Sequence, residues 1–374
     1  MKKVCILTMH NVDNFGSVLQ AYGLKRIVEK LGAEVSFADI QKNDNENQLL
    51  NGYNENSLYT RELHKKGFSF SKFDRYIFNR IYRKLKRDNK KQACLFQAFR
   101  ESFLNVDNHS EKYDLCIIGS DEVFNCLQGA PWGYTSQLFG NVSNANSVIS
   151  YAASCGSTKY ENVPDSVKRS IKASMNKFNR ISVRDKNTYC FVTKFVHSKE
   201  INFNLDPALV SNFDEEIKNS RLPISSKLKY CLIYAYGYRI NKKEEISGIL
   251  SFCKKHKLVP ITLGGPQAWC SRHINCSPFE CLKLFKGAAF VITDTFHGTI
   301  FSLKYSDRFA VVIRESNRNK LLDLVERTKV RNHVIASFSD LERVYGIEKD
   351  NDSVEGLINS GYDDCVAYLK GSLE

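Results

Sequence analysis

The 374-residue chain has no apolar run close to the roughly 18 residues that a membrane-spanning helix needs. It also lacks an export signal, because Met1-Lys2-Lys3 precedes only a short apolar stretch at 4–7. We therefore expect a cytoplasmic protein whose twelve cysteines are thiols rather than disulfides. The sequence contains no internal repeat and no nucleic-acid-binding signature, so we expect neither a repeat protein nor a nucleic-acid partner.

What the chain does contain is a regular alternation of strand-like and helix-like segments. A chain of this length exceeds one ordinary hydrophobic core, and a polar linker at 211–227 divides the series into two. The apolar runs that suit buried parallel strands lie at 3–9, 35–38, 115–118, 148–151, 180–183, 230–234, 258–263, 290–293 and 309–313. This pattern predicts an α/β protein with two Rossmann-like, doubly wound domains that face each other across a cleft.

The predicted domain boundaries follow from the linker and from one unusual segment. We expect the first domain at 1–212, with a basic, aromatic, helical insertion at 58–108, and the second domain at 226–350. A C-terminal helix at 351–374 is expected to pack back on the first domain.

The net charge of +13 is concentrated at residues 61–100, which carry thirteen Lys or Arg, three acidic residues and eight aromatics. Phe73, Ile77, Ile81 and Leu85 recur every four residues, which predicts one apolar face of a helix. The basic residues either form the solvated face of a packed helix or attract an anionic lipid surface or an acidic substrate. The pattern leaves both interpretations open.

An apolar run at 288–292 is followed at once by Asp294-Thr295-Phe296-His297 and then by a helical pattern. His297 therefore lies where the carboxyl end of a parallel strand turns into a helix, at the edge of the sheet where ligands bind. The first amides of that helix favour an anion, and a histidine beside an anion can exchange a proton near neutral pH. Asp294 could orient His297 or cap the helix. A histidine that only caps or fills the core is the alternative interpretation.

Small or charged residues also follow other strands. Arg184 comes after an apolar strand, where its guanidinium suits a carboxylate or phosphate, although an ion pair with Asp185 is the alternative. Asp121 ends another strand and is a candidate base for a substrate hydroxyl. The remaining residues that we expect at the substrate site are Asn14, Gly16, Ser17, Ser120, Ser154, Gly264, Gly265, Asp294, Thr295, Phe296 and Gly298.

One cluster of metal-ligating residue types appears at Cys270, His273, Cys276 and Cys281. Its spacing is not a standard zinc motif, and Cys281 falls in a predicted helix. We therefore expect thiols at these positions and no metal site, with zinc as the alternative.

Six segments together resemble the polysaccharide pyruvyl transferase family: DNFGSVLQAY at 13–22, IGSDEVFN at 118–125, SYAASCG at 150–156, ISVRD at 181–185, DPAL at 206–209 and ITDTFHGT at 292–299. They occur in the family's order. The resemblance implies a GT-B-like fold and the transfer of pyruvate from phosphoenolpyruvate to sugar hydroxyls, often as a cyclic ketal on a capsule or exopolysaccharide unit. It also implies that Arg184 and His297 contact the donor. Some members carry arginine two residues before the histidine, where this chain has Thr295, so one donor contact must differ.

The implied chemistry needs an anion site, one acid and one base. Phosphoenolpyruvate is a small trianion, which Arg184 and the helix that begins near His297 could bind. We assign His297 to proton transfer or to neutralising the departing phosphate, and Asp121 to the base. The scheme requires no cofactor and no metal, since phosphoenolpyruvate is a co-substrate.

Two other functions stay open at this point. A glycosyltransferase that uses a nucleotide sugar has the same architecture, and a non-catalytic basic protein would bind an anionic membrane or polyanion through 61–100. For the enzyme, the expected acceptor is a hexose such as galactose in a lipid-linked or polymeric glycan. Residues 61–100 would then guide a lipid-diphosphate-linked sugar to the cleft at the inner face of the cell membrane.

Overall fold

The computed structural model describes residues 1–50, 72–107, 112–237 and 239–374, and for 72–86 it describes the course of a helix without its side chains. The strands are β1 Lys3–Leu7, β2 Glu34–Ala38, β3 Tyr113–Asp121, β4 Ala145–Ala153, β5 Ile181–Val183, β6 Ile201–Phe203, β7 Tyr230–Ala235, β8 Val259–Gly264, β9 Phe290–Thr293, β10 Phe309–Val312 and β11 Val334–Ile335. The helices are α1 Phe15–Lys30, α2 Asp44–Asn47, α3 Lys72–Phe103, α4 Asp165–Met175, α5 Lys186–Val192, α6 Pro207–Val210, α7 Asp214–Asn219, α8 Lys243–Lys255, α9 Pro278–Gly287, α10 Phe296–Tyr305, α11 Arg318–Arg327, α12 Leu341–Tyr345 and α13 Asn351–Leu373.

The first six strands form one parallel sheet in the order β2-β1-β3-β4-β5-β6. The strand order reverses between β1 and β3, which is where such sheets bind ligands at the carboxyl ends of their strands. β3 is buried over almost its whole length, as expected for a central strand with both faces covered.

The last five strands form a second parallel sheet in the order β11-β10-β9-β7-β8. Its strand order reverses between β7 and β9, so β9 delivers the turn that precedes α10 to the ligand-binding edge of this sheet. Two doubly wound parallel sheets with flanking helices confirm the predicted fold class. The polar stretch 211–227, predicted as a linker, contains the short helix α7.

A continuous apolar core joins the two halves. The ring of Phe15 in α1 lies 6.2 Å from that of Tyr234 in β7, and the ring of Tyr22 lies 5.4 Å from that of Phe279 in α9. α13 returns to the first half, where the hydroxyl of Tyr368 donates to the carbonyl of Ser150 at 2.8 Å. Packing of both halves against α1 and α13 fixes the position of one sheet edge relative to the other.

α3 covers the part of the basic segment that the structure describes. Its C-terminal portion packs inward, because Phe96 and Phe99 are buried and Gln92 exchanges two hydrogen bonds with the backbone of Cys276. The predicted apolar face at 73, 77, 81 and 85 and the predicted membrane contact through 61–100 lie largely outside the described side chains and stay predictions. No helix in the described part of the chain has the length and apolar character to cross a membrane.

Candidate active site

Strands from both sheets bring ionisable side chains together where the two halves meet. Asp121 ends β3, Arg184 follows β5, Asp206 follows β6, and His297 lies in the first turn of α10. All four are buried, with residue exposures of 9%, 2%, 2% and 7%, respectively. Asp121 also has a φ of 72°, a left-handed conformation that is costly for a residue with a side chain and tends to persist at functional sites. We call these four residues the Arg184–His297 centre.

Arg184 is held by two carboxylates and one aromatic ring. Its Nη1 donates to Asp206 Oδ2 at 2.5 Å, and its Nη2 lies 3.8 Å from Asp121 Oδ1. The guanidinium carbon lies 4.1 Å from the centroid of the Phe296 ring, so a residue of the second half covers it. Burial disfavours the cation, but the charges of Asp206 and Asp121 outweigh it and raise the pKa of Arg184. Nε and Nη2 have no hydrogen-bond partner, so both can donate to an anion.

Asp206 lies between Arg184 and His297. Its Oδ2 is 3.6 Å from His297 Nε2, and its Oδ1 accepts from the amide of Ala208 at 2.9 Å, as the N-cap of α6. Burial by itself raises the pKa of Asp206, but the contacts with His297, Arg184 and the Ala208 amide hold that pKa well below its usual range. Among the residues that the structure describes, none lies within hydrogen-bond distance of His297 Nε2. An imidazole with an available nitrogen beside a stable carboxylate is suited to proton transfer.

The turn before α1 fits around this centre. Asn14, rather than Ser17, caps α1, because its Oδ1 accepts from the amide of Gly16 at 2.7 Å. Ser17 instead donates from Oγ to Asp121 Oδ2 at 2.8 Å. A Cβ at Gly16 would lie 2.0 Å from His297 Cγ and Nδ1. Position 16 therefore has to be glycine for the imidazole to occupy its place.

Two predicted site serines support the backbone of the centre. Ser120 Oγ lies 3.3 Å from Asp206 Oδ2. Ser154 Oγ donates to Asp185 Oδ2 at 2.7 Å, and Asp185 caps α5 by accepting from the amide of Thr188 at 2.8 Å. The carboxylate partner of Arg184 is therefore Asp206 and not its neighbour Asp185. Both serines are fully buried, so their role here is to hold the strand ends.

The turn that leads to His297 is shaped by Thr295 and Gly298. Thr295 Oγ1 accepts from the amide of Gly298 at 2.9 Å and so caps α10. A Cβ at Gly298 would lie 2.1 Å from Thr293 Oγ1, which makes glycine necessary in this first turn. The cap fixes the start of α10 and thereby the direction of the His297 side chain.

The carboxylate of Asp294 contacts other side chains of the second half. Its Oδ2 lies 3.3 Å from Arg314 Nε and 3.9 Å from Arg239 Nη1, and its Oδ1 has no hydrogen-bond partner. Burial outweighs the two arginines and raises the pKa of Asp294. The cap of α10 is Thr295 and the carboxylate beside His297 is Asp206, so Asp294 has neither of the two roles considered for it.

Gly264 and Gly265 shape the loop after β8. Gly264 has a φ of 84°, and a Cβ at Gly265 would lie 2.0 Å from the amide nitrogen of Gly237. The loop after β7 that packs here carries Tyr236, whose hydroxyl accepts from Asn14 Nδ2 at 3.4 Å across the cleft. The two glycines therefore support the wall of the second half.

A second ion pair crosses the cleft beside the centre. Lys320 of α11 pairs through Nζ with Glu122 Oε1, and the other oxygen of Glu122 accepts from Asn125 Nδ2 at 2.8 Å. Glu122 directly follows Asp121. Burial favours its neutral form, but the charge of Lys320, the hydrogen bonds and the charge of Arg184 lower its pKa to about 2. The pair is therefore ionised at neutral pH.

Lys304 ties the helix of His297 to the helix of Asp206. Its Nζ donates to the carbonyl of Ala208 at 3.1 Å and to that of Ser211. Burial lowers the pKa of Lys304 to about 7, against the charges of nearby aspartates. This link keeps the imidazole and its carboxylate at a fixed separation.

Sequence reasoning assigned no role to Asp206, Glu122, Lys320 or Tyr236. Asp206 carried a usable signal, because an aspartate before Pro207 at a strand end is typical of a helix start at the ligand-binding edge. Lys320 carried none, since it reaches the cleft from a helix far along the chain.

The cysteine cluster shows no metal geometry. Cys276 and Cys281 are buried, and His273 Nδ1 lies 3.2 Å from Thr262 Oγ1. In the ranges that the structure describes, no group of three or more His, Cys, Asp or Glu side chains is arranged to hold a metal ion.

Two UDP-GlcNAc 2-epimerases are among the solved structures that this chain resembles. The UDP-GlcNAc 2-epimerase of Methanocaldococcus jannaschii, in complex with UDP-GlcNAc and UDP, matches with a TM-score of 0.50 and 13% identity over 96% of this chain and 99% of that chain. The UDP-GlcNAc 2-epimerase of Neisseria meningitidis matches with a TM-score of 0.49 and 11% identity over 99% and 100%. At these identities the likeness concerns the fold alone. No curated protein matches the sequence.

A family model described as polysaccharide pyruvyl transferase matches residues 14–312, which include the turn before α1, all four residues of the Arg184–His297 centre and the start of α10. The match covers most of the chain and includes strands β2 to β10 of the two sheets. The chain therefore belongs to the polysaccharide pyruvyl transferase family.

Proposed function

We propose that the protein transfers pyruvate from phosphoenolpyruvate to two hydroxyls of one sugar, forming a pyruvate ketal and releasing phosphate. Family membership supports a pyruvyl transfer to a glycan. The observation that carries the proposal is the meeting of Arg184 and His297, from opposite halves of the chain, at the buried carboxylate of Asp206.

The donor is a small molecule with a phosphate and a carboxylate. Within the described part of the chain, Arg184 Nε and Nη2 have no hydrogen-bond partner and can donate to one of these anions. The amides of Phe296 and His297 open α10 and can bind an anion as well, whereas that of Gly298 is capped by Thr295. The cleft excludes most water from this point, because the centre is buried. Electrostatic contacts are stronger in such surroundings than in water.

In the proposed reaction a proton adds to the methylene carbon of the donor, which makes a methyl group and a cationic centre at the carbon that bears the phosphate. One sugar hydroxyl attacks that carbon and loses its proton. The bond from carbon to the phosphate oxygen then breaks, with its electron pair leaving on phosphate, and the second hydroxyl attacks and loses its proton. One hydroxyl proton balances the proton given to carbon and the other leaves as hydrogen phosphate.

His297 is the proton donor or the group that neutralises the departing phosphate, since its Nε2 is unpartnered. Asp121 is the base for the attacking hydroxyl. Ser17 holds one of its oxygens at 2.8 Å, which leaves the other directed toward Arg184. Asp206 keeps a negative charge between Arg184 and the imidazole of His297 and so holds both in place.

The acceptor is a hexose, such as galactose, in a lipid-linked or polymeric glycan of a capsule or exopolysaccharide. Residues 61–100 carry a net charge of +10. Such a segment attracts anionic lipid and diphosphate groups at the inner face of the membrane, in the cytoplasm. Neutralising its charges should lower activity on a lipid-diphosphate-linked acceptor and leave activity on a free glycan unchanged; equal activity on both acceptors would reject this role.

The deciding experiment incubates the purified protein with phosphoenolpyruvate and a panel of lipid-linked and free glycans. The expected result is release of phosphate together with a product that carries one pyruvate in place of two hydroxyl protons, detected by mass spectrometry. Parallel incubations with nucleotide sugars test a glycosyltransferase. Transfer of a sugar, with no phosphate released from phosphoenolpyruvate, would overturn the proposal.

A further inference from the structure

The Arg184–His297 centre is short of positive charge for the proposed donor. Arg184 is already paired with Asp206 at 2.5 Å and lies 3.8 Å from Asp121. The two carboxylates leave the centre with a net charge of zero even when His297 is protonated. A trianion with a phosphate and a carboxylate needs further cations within reach.

In the described part of the second half, the cations near the ligand-binding edge of its sheet include Arg239, Arg314 and Lys320. Arg314 pairs with Glu245 and Asp294, and Arg239 contacts Asp294 and donates to Ser316 Oγ at 3.1 Å. Both therefore have partners within their own half of the chain. Their contacts hold them to the loops of the second sheet.

Lys320 differs, because its carboxylate partner belongs to the other half. Its Nζ reaches across the cleft to Glu122, the residue after Asp121, and its side chain is 16% exposed. The charge of Arg184 acts on both Lys320 and Glu122, which places this pair in the same electrostatic environment as the centre. A lysine is a compact cation on a flexible stem, so it can exchange one anion for another by rotating a few bonds.

Glu122 keeps another hydrogen-bond partner if Lys320 moves away. Its second oxygen accepts from Asn125 Nδ2 at 2.8 Å, and a Cβ at Gly156 would lie 2.4 Å from that oxygen, so the carboxylate is fixed from the first half. The acidic partner is therefore anchored while the basic partner is the mobile one.

We propose that Lys320 is the donor-binding cation of the second half, and that it exchanges Glu122 for the phosphate or carboxylate of phosphoenolpyruvate when the donor enters the cleft. This inference rests on the proposed function. Under this proposal a residue of α11 supplies positive charge to the donor. Thr295, which caps α10, is neutral and does not supply any. Binding of the donor then replaces one contact between the halves with a contact through the ligand.

The test compares Lys320→Met with Lys320→Arg and with Arg318→Met, which removes the same charge two residues earlier on α11. Lys320→Met should raise the KM for phosphoenolpyruvate roughly 10- to 100-fold, the usual effect of losing a charged hydrogen bond, and change kcat much less. Lys320→Arg should recover most of the affinity, and Arg318→Met should behave as wild type. Calorimetric titration with phosphoenolpyruvate alone should show the same order of affinities without turnover.

Glu122→Gln distinguishes a donor-binding role of Lys320 from a purely structural role of the ion pair between Lys320 and Glu122. Removing the resting counter-ion should leave donor affinity unchanged or make it tighter, because Lys320 no longer has to be released from a carboxylate. Weakening of donor binding to the level of Lys320→Met would overturn the inference, and so would a wild-type KM and affinity in Lys320→Met. Absence of phosphoenolpyruvate turnover in the wild-type protein would instead reject the proposed function itself. Thermal melting of each variant shows whether it is folded.

Discussion

Asp206 and Asp294 are two buried aspartates that follow parallel strands, one in each half, and arginine accompanies both. Asp206 has close partners on both oxygens, with Arg184 at 2.5 Å and the amide of Ala208 at 2.9 Å, and its pKa is held well below the usual range. Asp294 lies 3.3 Å from Arg314, one of its oxygens has no partner, and burial raises its pKa. The close donors around a carboxylate, and not burial alone, therefore decide the direction in which its pKa is shifted in this fold.

The two aspartates also face different surroundings. Asp206 lies beside an imidazole nitrogen that has no hydrogen-bond partner, so its negative charge acts on a group that can move a proton. Asp294 lies among side chains of the second half and positions the arginines at the ends of β7 and β10. We therefore expect the first aspartate to serve the proposed reaction and the second to hold the structure of the second half.

The largest effect is expected from His297→Gln, which removes the group that distinguishes the surroundings of Asp206 from those of Asp294. Loss of a general acid or base lowers kcat by about 100- to 10,000-fold. His333→Gln is the matched control, because His333 is also buried in the second half but its Nδ1 donates to the carbonyl of Phe309 at 2.9 Å, away from the Arg184–His297 centre. Assays of phosphate release should show a loss in the first variant only; similar losses in both would assign His297 to packing.

Asp206→Asn and Asp294→Asn test the comparison through pH. The folded-state pKa of Asp206 is lowered, so its contribution to stability is present above its unfolded pKa of about 3.9 and is lost as pH falls through the folded value. Removing this charge from a buried pair should cost about 3 kcal/mol at neutral pH, and the gap to wild type should narrow below about pH 5.

Asp294 should show the opposite slope. Its folded-state pKa is raised, so ionisation opposes folding increasingly as pH rises from about 3.9 toward the folded value. Relative to wild type, Asp294→Asn should therefore gain stability over that range and cost less than Asp206→Asn at neutral pH. Urea unfolding between pH 3 and 7 measures the free energy of unfolding of both variants and of wild type. An equal loss of stability with the same pH dependence in both variants would contradict the expected difference between Asp206 and Asp294.

The fold was readable from sequence because its signals are local. Apolar runs bounded by polar turns predict buried parallel strands, and the run before Asp294 gave β9 at 290–293 as the structure has it. The capping residues at helix ends were harder to predict. Serine is a common cap residue, yet Asn14 and not Ser17 caps α1, because Ser17 has a tertiary partner in Asp121 that local patterns do not reveal.

The candidate site was only partly readable for the same reason. Arg184 and His297 each follow a strand, so topology predicts that they reach the ligand-binding edges. Their meeting at Asp206 depends on how one half is oriented relative to the other, which no local pattern encodes. Lys320 is the extreme case, since it reaches Glu122 from 198 positions away. The catalytic and binding roles of all these residues stay predictions until the variants are measured.

Gly16→Ala tests whether the imidazole beside Asp206 must keep its exact position. The added Cβ would lie 2.0 Å from the imidazole, so His297 has to move. A displacement of about 1 Å in a catalytic group costs roughly 100-fold in kcat/KM. Gly356→Ala is the control, because this helical position of α13 has nothing within 4 Å of a Cβ and should gain about 0.5–1 kcal/mol of stability at unchanged activity.

The smallest expected effect concerns the aromatic ring that covers Arg184. Its counterpart beside Asp294 is the ring of Tyr236, whose centroid lies 4.8 Å from the guanidinium carbon of Arg239. Phe296→Leu keeps the apolar volume but removes the aromatic face 4.1 Å from the guanidinium, a contact worth about 1 kcal/mol. The KM for phosphoenolpyruvate should rise roughly fivefold, whereas Phe296→Tyr, which keeps the ring, should stay near wild type. Equal values in both variants would mean that Asp206 alone positions Arg184, because the ring face would then contribute nothing that an aliphatic side chain cannot replace.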